Sequence, residues 1–216
     1  MLPDEKSILD LLERVKGMLI YLPVLIAVTC GLRRGEICAL RWQDMDWETG
    51  RLHVRHSLYR ETGAGLKLKS PKNKKGRPVA LPASVLAILK QEFLTRYPGN
   101  PLGSHGDDYI CAWEEGRPMD PRYVSGAFEK LGLPITFHGL RHSHDTMLFR
   151  HKVDSKLVAD RSGRDEALTQ EIYEHVLPDQ QDQVAKLIDK ILFKTPKKNR
   201  NKRNEQQNSN SFSDSP

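Results

Sequence analysis

At 216 residues, 38% hydrophobic and 29% charged, the chain has the composition of a soluble globular protein with a substantial core. Its most apolar stretch, Met18 to Val28, is far short of the roughly 20 residues a membrane span needs and is interrupted by Pro23, and the Leu2-Pro3-Asp4-Glu5 start is not a secretory signal. The net charge of +6 excludes little, because residues 194–216 hold six bases and two acids and so leave only +2 for residues 1–193.

In chain order, Pro3 and Asp4 start a first helix, in which Ile8, Leu11, Leu12 and Val15 recur at helical spacing. Leu19 to Cys30 predicts a second helix, apolar nearly all round and stopped by Gly31, and a short helix follows near Gly35 to Leu40. Cys30 and Cys38 fall in these apolar surroundings. With Cys111 they make an odd, CxxC-free set, which reads as buried free thiols in a reducing, cytoplasmic compartment. The period then changes to alternation at Arg51 to Arg55. Leu66 to Ser70 and Arg77 to Leu81 follow, joined by the basic turn Pro71 to Gly76, and the three predict a small antiparallel sheet.

Helices resume at Ala83 to Tyr97, with a brief strand at Tyr109 to Ala112. Asp120-Pro121 then supplies an N-cap and a first-turn proline for a helix that ends at Gly132. Further helices are expected at His138 to His151, Ser155 to Arg161, about Glu166 to Glu174, and Pro178 to Phe193. From Thr195 the chain is too polar to bury a core and is expected to be disordered. The fold class is therefore mainly α with a small antiparallel β-sheet: a domain over 1–193 and a basic polar tail over 194–216.

Three segments concentrate reactive side chains. Gly31-Leu32-Arg33-Arg34-Gly35-Glu36 delivers two arginines where a buried helix ends. His138-Gly139-Leu140-Arg141-His142 places His138 and Arg141 on one helical face, pairing a proton carrier with a guanidinium that forks onto phosphate oxygens. Glu171-Ile172-Tyr173-Glu174-His175-Val176 carries a tyrosine whose phenol, with a pKa near ~10, needs neighbouring cations to act as a nucleophile. Between them, seven bases and one acid from Arg60 to Arg77 form either a solvated hairpin or a patch that tracks a phosphate backbone. His138 and His142, with His144 and Asp145 nearby, also have the i, i+4 spacing of zinc helices, but Gly139 stands where HExxH has its glutamate.

In this order, the segments resemble the catalytic domain of the tyrosine recombinases, the phage-integrase family, over essentially residues 1–190. Cys30-Gly31-Leu32-Arg33-Arg34-Gly35-Glu36, with Ala39-Leu40-Arg41-Trp42, is similar to the first arginine box, although Cys30 stands where a threonine is usual. His138-Gly139-Leu140-Arg141-His142-Ser143 resembles the HxLRH box, and Tyr173-Glu174-His175-Val176 the nucleophile segment. The resemblance implies a lysine general acid on the basic loop, for which Lys72 is the best match and Lys74 the main rival. Ser162-Gly163-Arg164 stands where the family usually has Leu-Gly-His, so Arg164 takes the place of a histidine that donates to the scissile phosphate.

The resemblance further implies that Tyr173 forms a 3′-phosphotyrosine while Arg33 and Arg141 hold the non-bridging oxygens. Lys72 would protonate the leaving oxygen, and His138 would act as proton acceptor or phosphate ligand. It implies no metal or nucleotide cofactor. The implied partners are double-stranded DNA, further copies of the chain assembled on it, and accessory DNA-bending proteins. The clamp domain that usually precedes this catalytic domain is expected to be absent. Rival expectations are type IB topoisomerase chemistry, a truncated non-catalytic DNA-binding remnant, and a metal-dependent hydrolase.

Overall fold

The computed structural model describes residues 4–70, 76–165, 167 and 169. All lie within Met1–Pro178, the first of two compact units; the second, Asp179–Pro216, is outside the described residues. Helix α1, Glu5–Val15, begins where the Asp4 carboxylate accepts from the Ser7 amide at 2.9 Å, and it buries Ile8, Leu11 and Val15. The chain turns at Gly17, so α2 starts two residues later than its apolar run suggests, at Tyr21, and continues to Cys30. Residues 22–28 and Cys30 are all buried, which makes α2 the central helix of the core. Gly31 ends it in the left-handed region (φ +65°), and α3, Arg34–Ala39, follows directly.

A 3₁₀ turn at Trp42–Asp44 leads into strands β1 (Met45–Asp46) and β2 (Arg51–Val54); β3 is Ser57–Glu61, β4 Gly65–Lys69 and β5 Arg77–Ala80. The sheet differs from the expected one. Its order is β1-β2-β5, with Leu52 opposite both Met45 and Val79, whereas β4 pairs only with β3 in a separate hairpin. Leu66 to Ser70 is therefore a strand, but not one of the three. The alternation Leu66-Lys67-Leu68-Lys69 marks β4 as a strand, but Leu58 is the hairpin's only buried residue, so nothing in the pattern says which partner β4 takes. Gly35 lets α3 lie directly on β3, since a Cβ there would stand 2.5 Å from the Leu58 carbonyl oxygen.

Helix α4, Ala83–Arg96, buries Val85, Leu89 and Phe93; the Phe93 ring meets Trp42 edge-on at 5.3 Å. In the connection to α5 only isolated bridges form, Arg41 with Tyr109 and Ala112 with Pro118, in place of the expected strand. Helix α5, Pro121–Glu129, starts on the Asp120 cap. Helix α6, Phe137–Arg150, is capped by Thr136 and packs along α2. Helix α7, Ser155–Ser162, is capped by Asp154 and ends at left-handed Gly163 (φ +66°). The buried side of α6 is unusually polar. Arg141, Ser143, His144, Asp145 and Thr146 are all inside, and such residues stay buried only when partnered.

Candidate active site

Arg33 sits at the N-cap of α3, where the reversal at Gly31 delivers it. The Glu36 carboxylate organises this corner. It accepts from the Arg33 amide (2.9 Å) and from Arg33 Nη1 (3.1 Å), and Arg77 at the start of β5 forks onto both its oxygens at 3.1 and 2.8 Å. Burial pushes the Glu36 carboxyl up, but bonds and charge from Arg77 and Arg33 outweigh it and hold the group below its ordinary value. Glu36 is therefore a fixed anion that sets the direction of two arginines.

Those arginines also grip the end of α7. Arg77 donates through Nε to the Arg161 carbonyl (3.1 Å) and through Nη2 to the Ser162 carbonyl (3.0 Å), while Arg33 Nη2 reaches the Gly163 carbonyl at 2.6 Å. Arg141, on α6, donates from Nη1 to the carbonyls of both Gly31 (2.6 Å) and Ser162. Three guanidinium groups from separate segments thus converge on the carbonyl-rich, negative end of one helix. Arg141 is buried, and its Nη2 has no hydrogen-bond partner among the described residues. Burial, with the charges of Arg33 and Arg164, pushes it down to about 9, which leaves it charged at neutral pH.

The histidines divide into distinct roles. His144 is buried, donating from Nδ1 to the Val28 carbonyl (2.9 Å) and accepting at Nε2 from Arg161 Nε (3.3 Å), so its imidazole is neutral. Arg161 also binds the carbonyls of Ala80 and Thr29, both at 2.9 Å. His138 is exposed and packs edge-on against His142, with ring centroids 5.1 Å apart. Partial burial lowers the pKa of both, and nearby Arg164 and Arg141 lower it further, so both are neutral bases at neutral pH. Arg164 donates from Nε to the Asp145 carboxylate at 2.7 Å and from Nη2 to His142 Nδ1 at 3.4 Å.

Of the residues expected to form the site, Arg33, His138, Arg141 and Arg164 come together from three segments. Lys72, its rival Lys74 and Tyr173 lie outside the described residues, as do the helices expected over 166–174 and 178–193 and the polar tail. The sequence reading missed Glu36, Arg77, Arg161 and Asp145 as organising groups. A signal existed only for Glu36, three residues beyond Arg33. The zinc-like spacing has another explanation, since His142, His144 and Asp145 each serve an arginine. Among the described residues no group of three or more His, Cys, Asp or Glu side chains could hold a metal. Nor is any described helix long and apolar enough to cross a membrane.

In fold and sequence the chain falls among the DNA recombinases. The fold is shared with the Tn1549 transposon integrase in complex with circular intermediate DNA (TM-score 0.74, 21% identity, 86% of this chain and 65% of that one) and with the XerA recombinase (TM-score 0.64, 21% identity, 85% and 65%). It is the fold of tyrosine recombinase catalytic domains. In sequence, the chain is 27% identical over 211 residues to a tyrosine recombinase XerC-like protein of Caldanaerobacter subterraneus, covering 88% of this chain and 54% of that protein. It is 26% identical to the integrase of Staphylococcus phage L54a, covering 76% of this chain and 49% of that one. Residues 3–180 match the phage integrase family, and the chain belongs to that family. It spans about half the length of the curated relatives it matches.

Proposed function

We propose that this protein is a site-specific DNA recombinase that cleaves and rejoins strands by transesterification, with Tyr173 as the nucleophile. The observation that carries the reading is the convergence of Arg33, Arg141, Arg164 and a neutral His138 around the end of α7. A phosphoryl group gaining charge in its transition state needs permanent cations with rigid donors beside a base that is unprotonated at neutral pH. This corner supplies both.

In the reaction, the Tyr173 oxygen attacks the scissile phosphorus and forms the 3′-phosphotyrosine, releasing a 5′ hydroxyl. Arg33 and Arg141 hold the non-bridging oxygens, with Arg141 Nη2, which has no partner among the described residues, as the donor in reserve. His138 takes or shares the phenol proton, Lys72 protonates the leaving oxygen, and Arg164 adds a donor to the phosphate. A 5′ hydroxyl of the partner strand reverses the step, so the bond energy is conserved in the phosphotyrosine. The substrate is double-stranded DNA in the cytoplasm, with further copies of the chain and DNA-bending proteins completing the assembly.

The test is a duplex nicked close to the cleavage position, which traps the covalent intermediate. Wild type is expected to form a protein–DNA adduct and Tyr173→Phe none. No adduct with wild type, or an undiminished one with the variant, overturns the reading. Relaxation of a supercoiled plasmid without exchange between two marked sites would assign the chain to topoisomerase-type chemistry instead.

A further inference from the structure

We propose that Asp145 is a positioning residue that aims Arg164 at the scissile phosphate. The inference rests on the proposed transesterification for its target, and on the geometry of α6 and the α7 end for its mechanism.

Asp145 lies one helical turn beyond Arg141, on the same buried side of α6, and is completely inaccessible to solvent. Its Oδ2 accepts from Arg164 Nε at 2.7 Å, and its Oδ1 has no partner among the described residues. As a device for stability this is poor. An apolar residue in the same space costs no desolvation, and a half-satisfied buried carboxylate gives back little. As a device for orientation it is effective. Arg164 follows the left-handed Gly163, outside α7, with its amide donating to the Ala159 carbonyl at 3.1 Å. A free arginine in such a place keeps about 2 kcal/mol of rotamer entropy that must be lost when it meets its ligand. Anchoring through Nε removes that freedom in advance and leaves the direction of the terminal fork to be set by its neighbours.

The other contacts fix which way the fork faces. Arg164 Nη2 donates to His142 Nδ1, and His142 packs edge-on against His138. The row Asp145, Arg164, His142, His138 therefore runs from the buried side of α6 to its exposed start, where the phosphate would sit. A plain structural ion pair would need only the first two members. The pair with His142 at 3.4 Å places the guanidinium against the histidine that packs on His138, in an orientation that Asp145 dictates.

The experiment is a double-mutant cycle in single-turnover adduct formation on the nicked duplex: wild type, Asp145→Asn, Arg164→Ala and the double variant. Asp145→Asn is expected to slow the adduct-forming step about 10- to 100-fold, the range for groups that orient a working side chain from behind, with half-saturation by DNA unchanged. In the Arg164→Ala background the same change is expected to have less than about a twofold effect, because nothing remains to be aimed. A rate within about twofold of wild type, or an equal loss in both backgrounds, overturns the proposal. If Asp145→Asn does not fold, Asp145→Ser takes its place in the cycle. A second readout needs no DNA: the Arg164 Nε–H proton should give a resolved, slowly exchanging NMR signal in wild type that is lost in the Asp145 variant. If wild type forms no adduct, the transesterification reading fails, while the NMR signal still decides whether Asp145 holds Arg164.

Discussion

His144 makes the folded state sensitive to acid in a way that can be worked out from its contacts. It lies between α2 and α7 with only 2% of its surface exposed, donating to Val28 and accepting from Arg161. Protonation would put a hydrogen on Nε2 facing a guanidinium, exchanging a hydrogen bond for a repulsion in a dry place. Burial, followed by the charges of Arg161 and Arg141, lowers its pKa from 6.5 to about 4, against the pull of the Val28 bond. Between those values the unfolded chain binds a proton that the folded chain refuses. Stability from this residue is therefore complete above pH 6.5 and falls as the pH drops towards 4. At about 1.4 kcal/mol per pH unit the full loss is about 3 kcal/mol, of which about 2 kcal/mol has gone by pH 5. Urea unfolding of wild type and His144→Gln at pH 7.5 and 5.0 isolates the effect, since the carboxylates titrate in both proteins and cancel. Wild type should lose about 2 kcal/mol more than the variant. Equal losses would refute the assignment of His144 as a buried neutral imidazole.

Arg77→Ala removes the fork on Glu36 and two carbonyl contacts, and should lower stability by roughly 3 kcal/mol in urea unfolding, the low end for a broken buried pair because Arg33 still faces Glu36. Gly163→Ala forces a left-handed backbone on an L side chain and brings its Cβ to 2.5 Å from Arg77 Cζ; a loss of at least about 1 kcal/mol is expected from the melting midpoint. The adduct-forming rate should fall only as the pH drops below the 6.5 of an ordinary histidine, because His138 is held below that value. Arg164→Ala, by removing a cation beside His138, should move this acid limb to higher pH in the same assay. Binding of the chain to a duplex should be weak and steeply dependent on salt by fluorescence anisotropy; nanomolar, salt-insensitive affinity would contradict a phosphate-tracking surface.

Much of the fold is legible because its boundaries are marked by local chemistry. Asp4, Asp120, Gly31 and Gly163 each end or begin a helix through a bond or a backbone angle that the residue type itself supplies. The pairing of strands lacks such marks. β5 is legible, but its partner sheet is not: β1 is only two residues long and shows no period, whereas Leu66 to Lys69 alternates, so the third strand is easily misassigned to Leu66 to Ser70.

The site divides along the same physical line. Arg33, His138, Arg141 and Arg164 are visible because their side chains carry the chemistry. The grip on the α7 end is not, because its acceptors are the carbonyls of Arg161, Ser162 and Gly163, and every residue has a carbonyl. No side-chain pattern says which arginines will dock on them. The consequence is mechanical. Arg33, Arg77 and Arg141 hold three consecutive peptide units, and Arg164 is the next residue along the chain. A shift at the end of α7 cannot move one of these arginines alone, so the donors that would surround a phosphate keep their mutual spacing as long as that single helix end stays in place.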